Sequence, residues 1–138
     1  NFGTAPIRAA STADTFKAAL YLTTATVNAS TTAYSATNEA SGAGYTGGGV
    51  AVTNATPPSA TNASATAGVS YWTPSASITY TSVTLSTAFD TVLIYNNTQS
   101  NKAVSVHTFG SQTVTAGTFT LTMPSNTTTA ALLRLATT

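Results

Sequence analysis

Acidic and imidazole side chains could supply acid–base catalysis or hold a metal ion, and the sequence contains only Asp14, Glu39, Asp90 and His107. Hydrolysis by paired carboxylates needs two of them about 5–10 Å apart, and zinc needs several convergent nitrogen, sulfur or oxygen ligands. The chain has no Cys, and these groups are scattered along it. The hydrolase motifs G-x-S-x-G and H-E-x-x-H are missing as well. We therefore predict no catalytic residue, no metal site and no cofactor.

A glycine motif is the strongest formal match to a binding site. Gly42, Gly44 and Gly47 fit the dinucleotide fingerprint G-x-G-x-x-G, in which glycines let a pyrophosphate reach a helix N-terminus. Here two more glycines and Val50 follow, which begins a strand pattern and not a helix. The motif therefore predicts a glycine-rich loop that uses positive φ angles. Glu39 lies just before it, and we expect its carboxylate to accept backbone N–H bonds and pin the loop.

Two weaker patterns suggest other kinds of surface. Tyr and Trp side chains, including Tyr71 and Trp72, could form a platform for carbohydrate. They mostly fall within strand alternation, so the core is the better prediction. Thr-x-Thr pairs in residues 113–122 resemble the rows of ice-binding surfaces, but their spacing is irregular. The β-propensity of threonine explains them better.

Composition excludes several classes of protein. Only 5% of the 138 residues are charged and the formal net charge is +1, whereas an average domain carries about 25% charged residues. Nucleic-acid binding needs clustered Lys and Arg, and the four basic residues here are dispersed. Clearly apolar runs such as residues 92–95 are far shorter than the roughly 20 residues of a membrane-spanning helix. We therefore expect neither a nucleic acid nor a membrane as partner.

Hydrophobic residues alternate with the period of a β-strand in most of the chain. Phe16, Ala18 and Leu20 share one parity, whereas residues 91–95 are apolar on both parities, which predicts a strand covered on both faces. The polar residues 96–101 then connect this strand to residues 104–108, which predicts a hairpin. Parity also changes between positions 80 and 83, which predicts a bulge at Thr81–Ser82.

These patterns predict an all-β fold. We expect one antiparallel β-sandwich or barrel of about eight or nine short strands, because turn signals recur at the spacing typical of such domains. Residues 15–138 would form the domain and residues 1–14 an extended N-terminal arm.

The stretch N-E-A-S-G-A-G-Y-T-G-G-G at residues 38–49 resembles a family of small virion structural proteins of tailed bacteriophages. Members share N-E-V/A-S-G-x-G-Y-x-x-G-G after a short first strand. The downstream order is similar too, with Tyr71-Trp72, L-I-Y-N at 93–96, V-H-T-F-G-S at 106–111 and G-T-F-T-L at 117–121. The resemblance covers about residues 15 to 135.

The resemblance implies a non-enzymatic component of the virus particle. We expect a decoration or cement protein on the outer surface of the capsid, where it binds the major capsid protein and copies of itself and stabilises the head. Alternatives are a tail, fibre or filament subunit, and a surface adhesin or carbohydrate-binding module. The expected functional positions are a structural loop and a docking arm: Glu39, Gly42, Gly44, Tyr45 and Gly47 for the loop, and Phe2, Ile7 and Arg8 for the arm.

Overall fold

The computed structural model describes residues 13–54, 58–61 and 68–136. These residues form seven strands and no helix. No described segment is therefore a helix long and apolar enough to cross a bilayer. The strands are β1 (Phe16–Leu22), β2 (Val50–Val52), β3 (Ser59–Ala60), β4 (Val69–Trp72), β5 (Ile78–Asn96), β6 (Lys102–Leu121) and β7 (Leu133–Ala136).

The strands form two antiparallel sheets. The larger has the order β2-β1-β5-β6 and the smaller the order β3-β4-β7. Trp72, at the end of β4, joins the two sheets, because its ring lies 5.9 Å from that of Phe16 on β1. The Leu132 N–H, just before β7, also donates to the Thr73 hydroxyl at 2.9 Å. The all-β, sandwich-like prediction is confirmed.

A long hairpin dominates the larger sheet. Strands β5 and β6 contain 19 and 20 residues, so runs that the sequence divides into several short strands are continuous. Where the alternation of hydrophobic residues changes parity, the two strands shift register within the hairpin and do not turn. One shift lies between Tyr80 and Val83, where Ser82 has a φ of 53°, and this confirms the predicted bulge. The described residues consequently contain seven strands, fewer than expected.

The register shifts also bend the hairpin. Ile78 and Ile94 lie sixteen residues apart on β5 and yet line the same cleft, whereas a straight strand would separate them by about 54 Å. Bulges increase local bending and twist. The hairpin therefore curves around its inner face, and the main core fills the concave side.

Both faces of β5 are covered near its end, as predicted. Val92 and Ile94 belong to the larger core cluster, and Leu93 and Tyr95 to a smaller one on the opposite face. The hairpin with the start of β6 is confirmed as well, since Leu93 pairs with Val106. This end of β5 thus packs against the segment between β1 and β2 on one face and against the main core on the other.

Candidate functional site

One polar cluster in the described residues is centred on the Glu39 carboxylate. Its Oε1 accepts a hydrogen bond from the Tyr45 hydroxyl at 2.8 Å and one from the Gly48 N–H at 2.7 Å. Its Oε2 accepts one from the Tyr34 hydroxyl at 2.6 Å. Hydrogen bonds to an ionised carboxylate are roughly twice as strong as neutral ones. Glu39 therefore holds residues 34–48 as one unit, with the backbone N–H bond that the sequence suggests.

Strand β1 positions Glu39. The Ala40 N–H donates to the Leu20 carbonyl at 2.8 Å, and the Leu22 N–H donates to the Asn38 carbonyl at 3.0 Å. Asn38 has a φ of 58°, a left-handed conformation that Asn tolerates better than most residues. The chain thus turns at Asn38 and then lies antiparallel to β1, which directs the Glu39 side chain towards the tyrosines.

Five tyrosines connect this unit to the sheet, of which Tyr34 and Tyr45 belong to the unit itself. The Tyr80 hydroxyl donates to the Ala18 carbonyl at 2.9 Å, and the Tyr95 hydroxyl donates to the Gly48 carbonyl at 2.8 Å. The Tyr21 hydroxyl donates to the Ser35 carbonyl at 2.6 Å. The rings also stack in two pairs, with centroids 4.8 Å apart for Tyr34–Tyr95 and 5.9 Å apart for Tyr45–Tyr80.

The environment of these phenols stabilises their protonated form. Burial raises the pKa of Tyr21 to about 12, and the nearby Glu39 charge acts in the same direction. Burial and the hydrogen bond to Glu39 raise the pKa of Tyr34 well above its usual range. Burial likewise raises the pKa of Tyr45, Tyr80 and Tyr95. The tyrosines therefore act as hydrogen-bond donors near neutral pH, not as bases.

The glycines of the loop differ in what each position requires. A Cβ on Gly42 would overlap the Thr84 carbonyl, and a Cβ on Gly44 would overlap the Ser82 carbonyl. Gly44 also has a φ of 77°. These two positions require Gly, because the loop backbone there lies in close contact with the backbone of β5. By contrast, the nearest atom to a Cβ on Gly47 would be a Glu39 carboxylate oxygen 4.0 Å away.

Besides Tyr21 and Tyr80, sequence reasoning missed four residues that belong to this cluster. Gly49 lies so close to β1 that a Cβ would overlap the Ala18 carbonyl, and Gly48 donates to Glu39. Both adjoin the glycine motif, which was the available signal. Tyr34 and Tyr95 complete the phenol shell. Tyr95 is distant in sequence, so no local pattern could have identified it.

The other groups considered for chemistry stay apart from Glu39. The Asp14 carboxylate accepts bonds from the side chains of Asn96 and Gln99, and Asp90 accepts one from the adjacent Thr91 hydroxyl. His107 Nε2 lies 3.0 Å from the Ser105 hydroxyl oxygen, and burial lowers the pKa of the imidazole. Within residues 13–54, 58–61 and 68–136, no three His, Asp or Glu side chains gather as a metal site.

A cleft of about 450 Å³ lies on the concave side of the β5–β6 hairpin. Buried Val92 and Ile94 belong to its lining, together with the half-buried rings of Phe109 and Phe119. His107 contributes a polar group. The lining is thus mainly apolar, and most of it belongs to β6 and the residues that follow.

The expected docking arm lies outside the described residues, including Phe2, Ile7 and Arg8. The described chain begins beside the β5–β6 turn, where the Asn97 N–H donates to the Thr15 carbonyl at 2.8 Å.

Comparison with known proteins adds no relative. No protein-family model matches the chain, and no curated protein or solved structure shows significant similarity to it.

Proposed function

We propose that this chain is a non-enzymatic structural protein of a tailed-bacteriophage virion. It binds the outer surface of the capsid as a decoration or cement protein, contacts the major capsid protein and neighbouring copies of itself, and stabilises the head. The observation that carries the proposal is the Glu39 cluster, because it gives the residues of the phage-like stretch a structural purpose.

The cluster engages its polar groups internally. The Glu39 carboxylate accepts bonds from Tyr34, Tyr45 and Gly48, and Gly42 and Gly44 lie tightly against β5. A catalytic carboxylate needs access to a substrate proton. A carboxylate held by three donors of its own chain fits a rigid building block better.

Surface composition supports assembly with neighbours. The hairpin exposes Thr79 and Thr81 on β5 and Thr118 and Thr120 on β6, whereas only 5% of the chain is charged. Low net charge favours association. Hydroxyl groups make many weak contacts without the desolvation cost of buried charges.

The test uses capsids of the phage whose genome encodes this chain, assembled with the gene deleted. The purified chain should co-sediment with these capsids at a saturable stoichiometry and raise their melting temperature. Cryo-electron microscopy should then show new density outside the major capsid protein. The proposal fails if the chain does not bind the capsid, or if virions carry it only in the tail or fibres.

A carbohydrate-binding role has less support from the same observations. Trp72, the only tryptophan, is 6% exposed, and its indole N–H donates to the Asn54 side chain at 2.8 Å. Sugar platforms need an aromatic face open to solvent. Trp72 instead packs between the two sheets.

A further inference from the structure

Strand β6 forms one edge of the larger sheet, and among the described residues most of that edge has no neighbouring strand. Residues 32–34 cover its start, where the Ala103 N–H donates to the Thr32 carbonyl and the Tyr34 N–H donates to the Asn101 carbonyl. From Val104 to Leu121, no other described strand lies beside the outer side of β6. An open edge presents backbone donors and acceptors to any extended chain.

The β6 edge lacks two features that usually protect such an edge. Charged side chains and Pro normally prevent strands from pairing edge to edge, yet residues 103–121 contain no Asp, Glu, Lys, Arg or Pro. The other edge strands, β2, β3 and β7, contain 3, 2 and 4 residues and are protected by being short. β6 is therefore the one long edge in the described residues.

An apolar surface accompanies the same strand. Phe109, Phe119 and Leu121 line the cleft on the concave face of β6 and are only partly buried. Val104 is 37% exposed. A strand added along β6 would pair with its backbone and at the same time cover this side of the cleft.

We propose that β6 pairs antiparallel with β6 of a second copy of this chain, around a two-fold axis near Gln112 at the middle of the strand. The larger sheet then continues from one copy into the other as an eight-stranded sheet. This inference deepens the proposed function, on which it rests for its biological setting, since it names the surface through which neighbouring copies contact each other.

Charge and symmetry favour a second copy as the partner. A two-fold axis places the same surface on both sides of the interface, and two uncharged edges meet without like-charge repulsion. A strongly charged partner strand would find no opposite charge between residues 103 and 121.

The area of the interface indicates which parts of β6 must contribute. The open edge is about 60 Å in contour length and about 10 Å thick, which gives ~600 Å² per copy. A standard stable interface buries about 800 Å² per partner. Backbone pairing alone thus falls slightly short, and the cleft-lining rings supply the remaining area.

Sedimentation velocity over a concentration series tests the proposal on the purified full chain. We expect a reversible monomer–dimer equilibrium. Replacing the exposed Ser111 and Thr113 on β6 together by Lys should raise the dimer dissociation constant at least about tenfold at about 0.1 M salt, because each lysine then faces a lysine of the other copy across the axis. High salt should restore much of the affinity, since it screens exposed charges.

The control places the same two charges on the neighbouring strand. Ser86 and Thr87 of β5 are exposed, and lysines there lie about three strand spacings, or roughly 14 Å, from their copies. At about 0.1 M salt the Debye length is about 10 Å, so the repulsion between these lysines is largely screened. This variant should dimerise like the original chain. Circular dichroism must show that both variants are folded.

Because the chain has no Cys, a single introduced cysteine reports the contact directly. Gln112→Cys should give a disulfide-linked dimer under mild oxidation, since a disulfide needs Cα atoms about 4.4–6.8 Å apart. Ser86→Cys should not. The proposal is overturned if the chain is a monomer at every concentration or forms an open filament. It is also overturned if both lysine pairs raise the dimer dissociation constant equally, or if Gln112→Cys does not cross-link.

The two proposals fail separately. Dimerisation through β6 without capsid binding would refute the proposed function alone, and capsid binding by a monomer would refute the pairing alone.

Discussion

Glu39 receives hydrogen bonds from three separate positions of the chain: Tyr34, Tyr45 and Gly48. Each bond holds a different part of the segment between β1 and β2 against the Glu39 carboxylate. The segment between β1 and β2 has little regular structure to hold it. One charged acceptor therefore contributes more to its stability than it would on a strand. The identity of Glu39 as a loop-pinning residue could be predicted from its neighbours, but its phenol partners could not.

Replacing Glu39 by Gln should lower the free energy of unfolding by about 2 kcal/mol, because bonds to a charged acceptor become neutral and the new amide N–H₂ faces phenol donors. Urea denaturation followed by circular dichroism measures this loss. Asp90→Asn is the matched control, since Asp90 accepts only the bond of the adjacent Thr91 hydroxyl among those described, and it should lose less than about 1 kcal/mol. Equal losses would contradict the role of Glu39.

The loop glycines allow a second comparison at this scale. Gly42→Ala should destabilise the chain by about 1–3 kcal/mol, because the new methyl group overlaps the Thr84 carbonyl and the loop must move away from β5. Gly47→Ala should change stability by less than about 0.5 kcal/mol, since that position has space. Thermal unfolding of both variants checks this. A harmless Gly42→Ala would mean that the loop is not held against β5.

The β5–β6 hairpin is the element that determines the shape of the larger sheet. Alternation in the sequence predicted where its strands lie and where a bulge interrupts them, because side-chain parity is a local property. The continuity of the hairpin could not be predicted in the same way. Gly110 and Gly117 look like turn signals in the sequence, yet both remain inside β6, because pairing with β5 outweighs local preference.

The bulge at Ser82 gives the prediction for this scale. Ser82→Val should destabilise the chain by about 1 kcal/mol or more, because a β-branched residue is strained at the φ of 53° found there. Ser86→Val, on an exposed part of the same strand, should be neutral or slightly stabilising, because Val favours strands. Chemical denaturation compares the two. The same sign for both would show that the bulge is not maintained in solution.

At the scale of the whole described fold, tyrosine hydroxyls make the hydrogen bonds that connect parts of the chain distant in sequence. The chain has no Cys and 5% charged residues. Tyr80 and Tyr95 connect β5 to Ala18 and Gly48, which are 62 and 47 positions away in sequence. The Tyr95 bond fixes the β1–β2 segment to β5, and the Tyr80 bond connects β5 to β1 within the larger sheet. Such long-range partners are set by the fold, and for that reason the sequence alone did not reveal them.

This arrangement makes stability sensitive to alkaline pH. The folded chain holds the pKa of Tyr21 at about 12, above the value of about 10 for an unfolded tyrosine. The protonated phenol is thus favoured in the folded state, so its stabilising effect is complete below about pH 10 and is lost as pH rises towards about 12. Urea denaturation at stepped pH should show this fall, with tyrosinate absorbance increasing as the chain unfolds.

Tyr21→Phe separates this effect from general alkaline damage. The variant loses the hydrogen bond to the Ser35 carbonyl and should be less stable at neutral pH, yet its stability should fall less steeply above about pH 10, because one shifted group no longer titrates. If stability falls with pH as steeply in this variant as in the original chain, the loss of stability at alkaline pH comes from other groups. Stability that is constant up to about pH 12 would mean that the phenols ionise in the folded chain as freely as in the unfolded one, and that the tyrosine bonds do not hold its parts together.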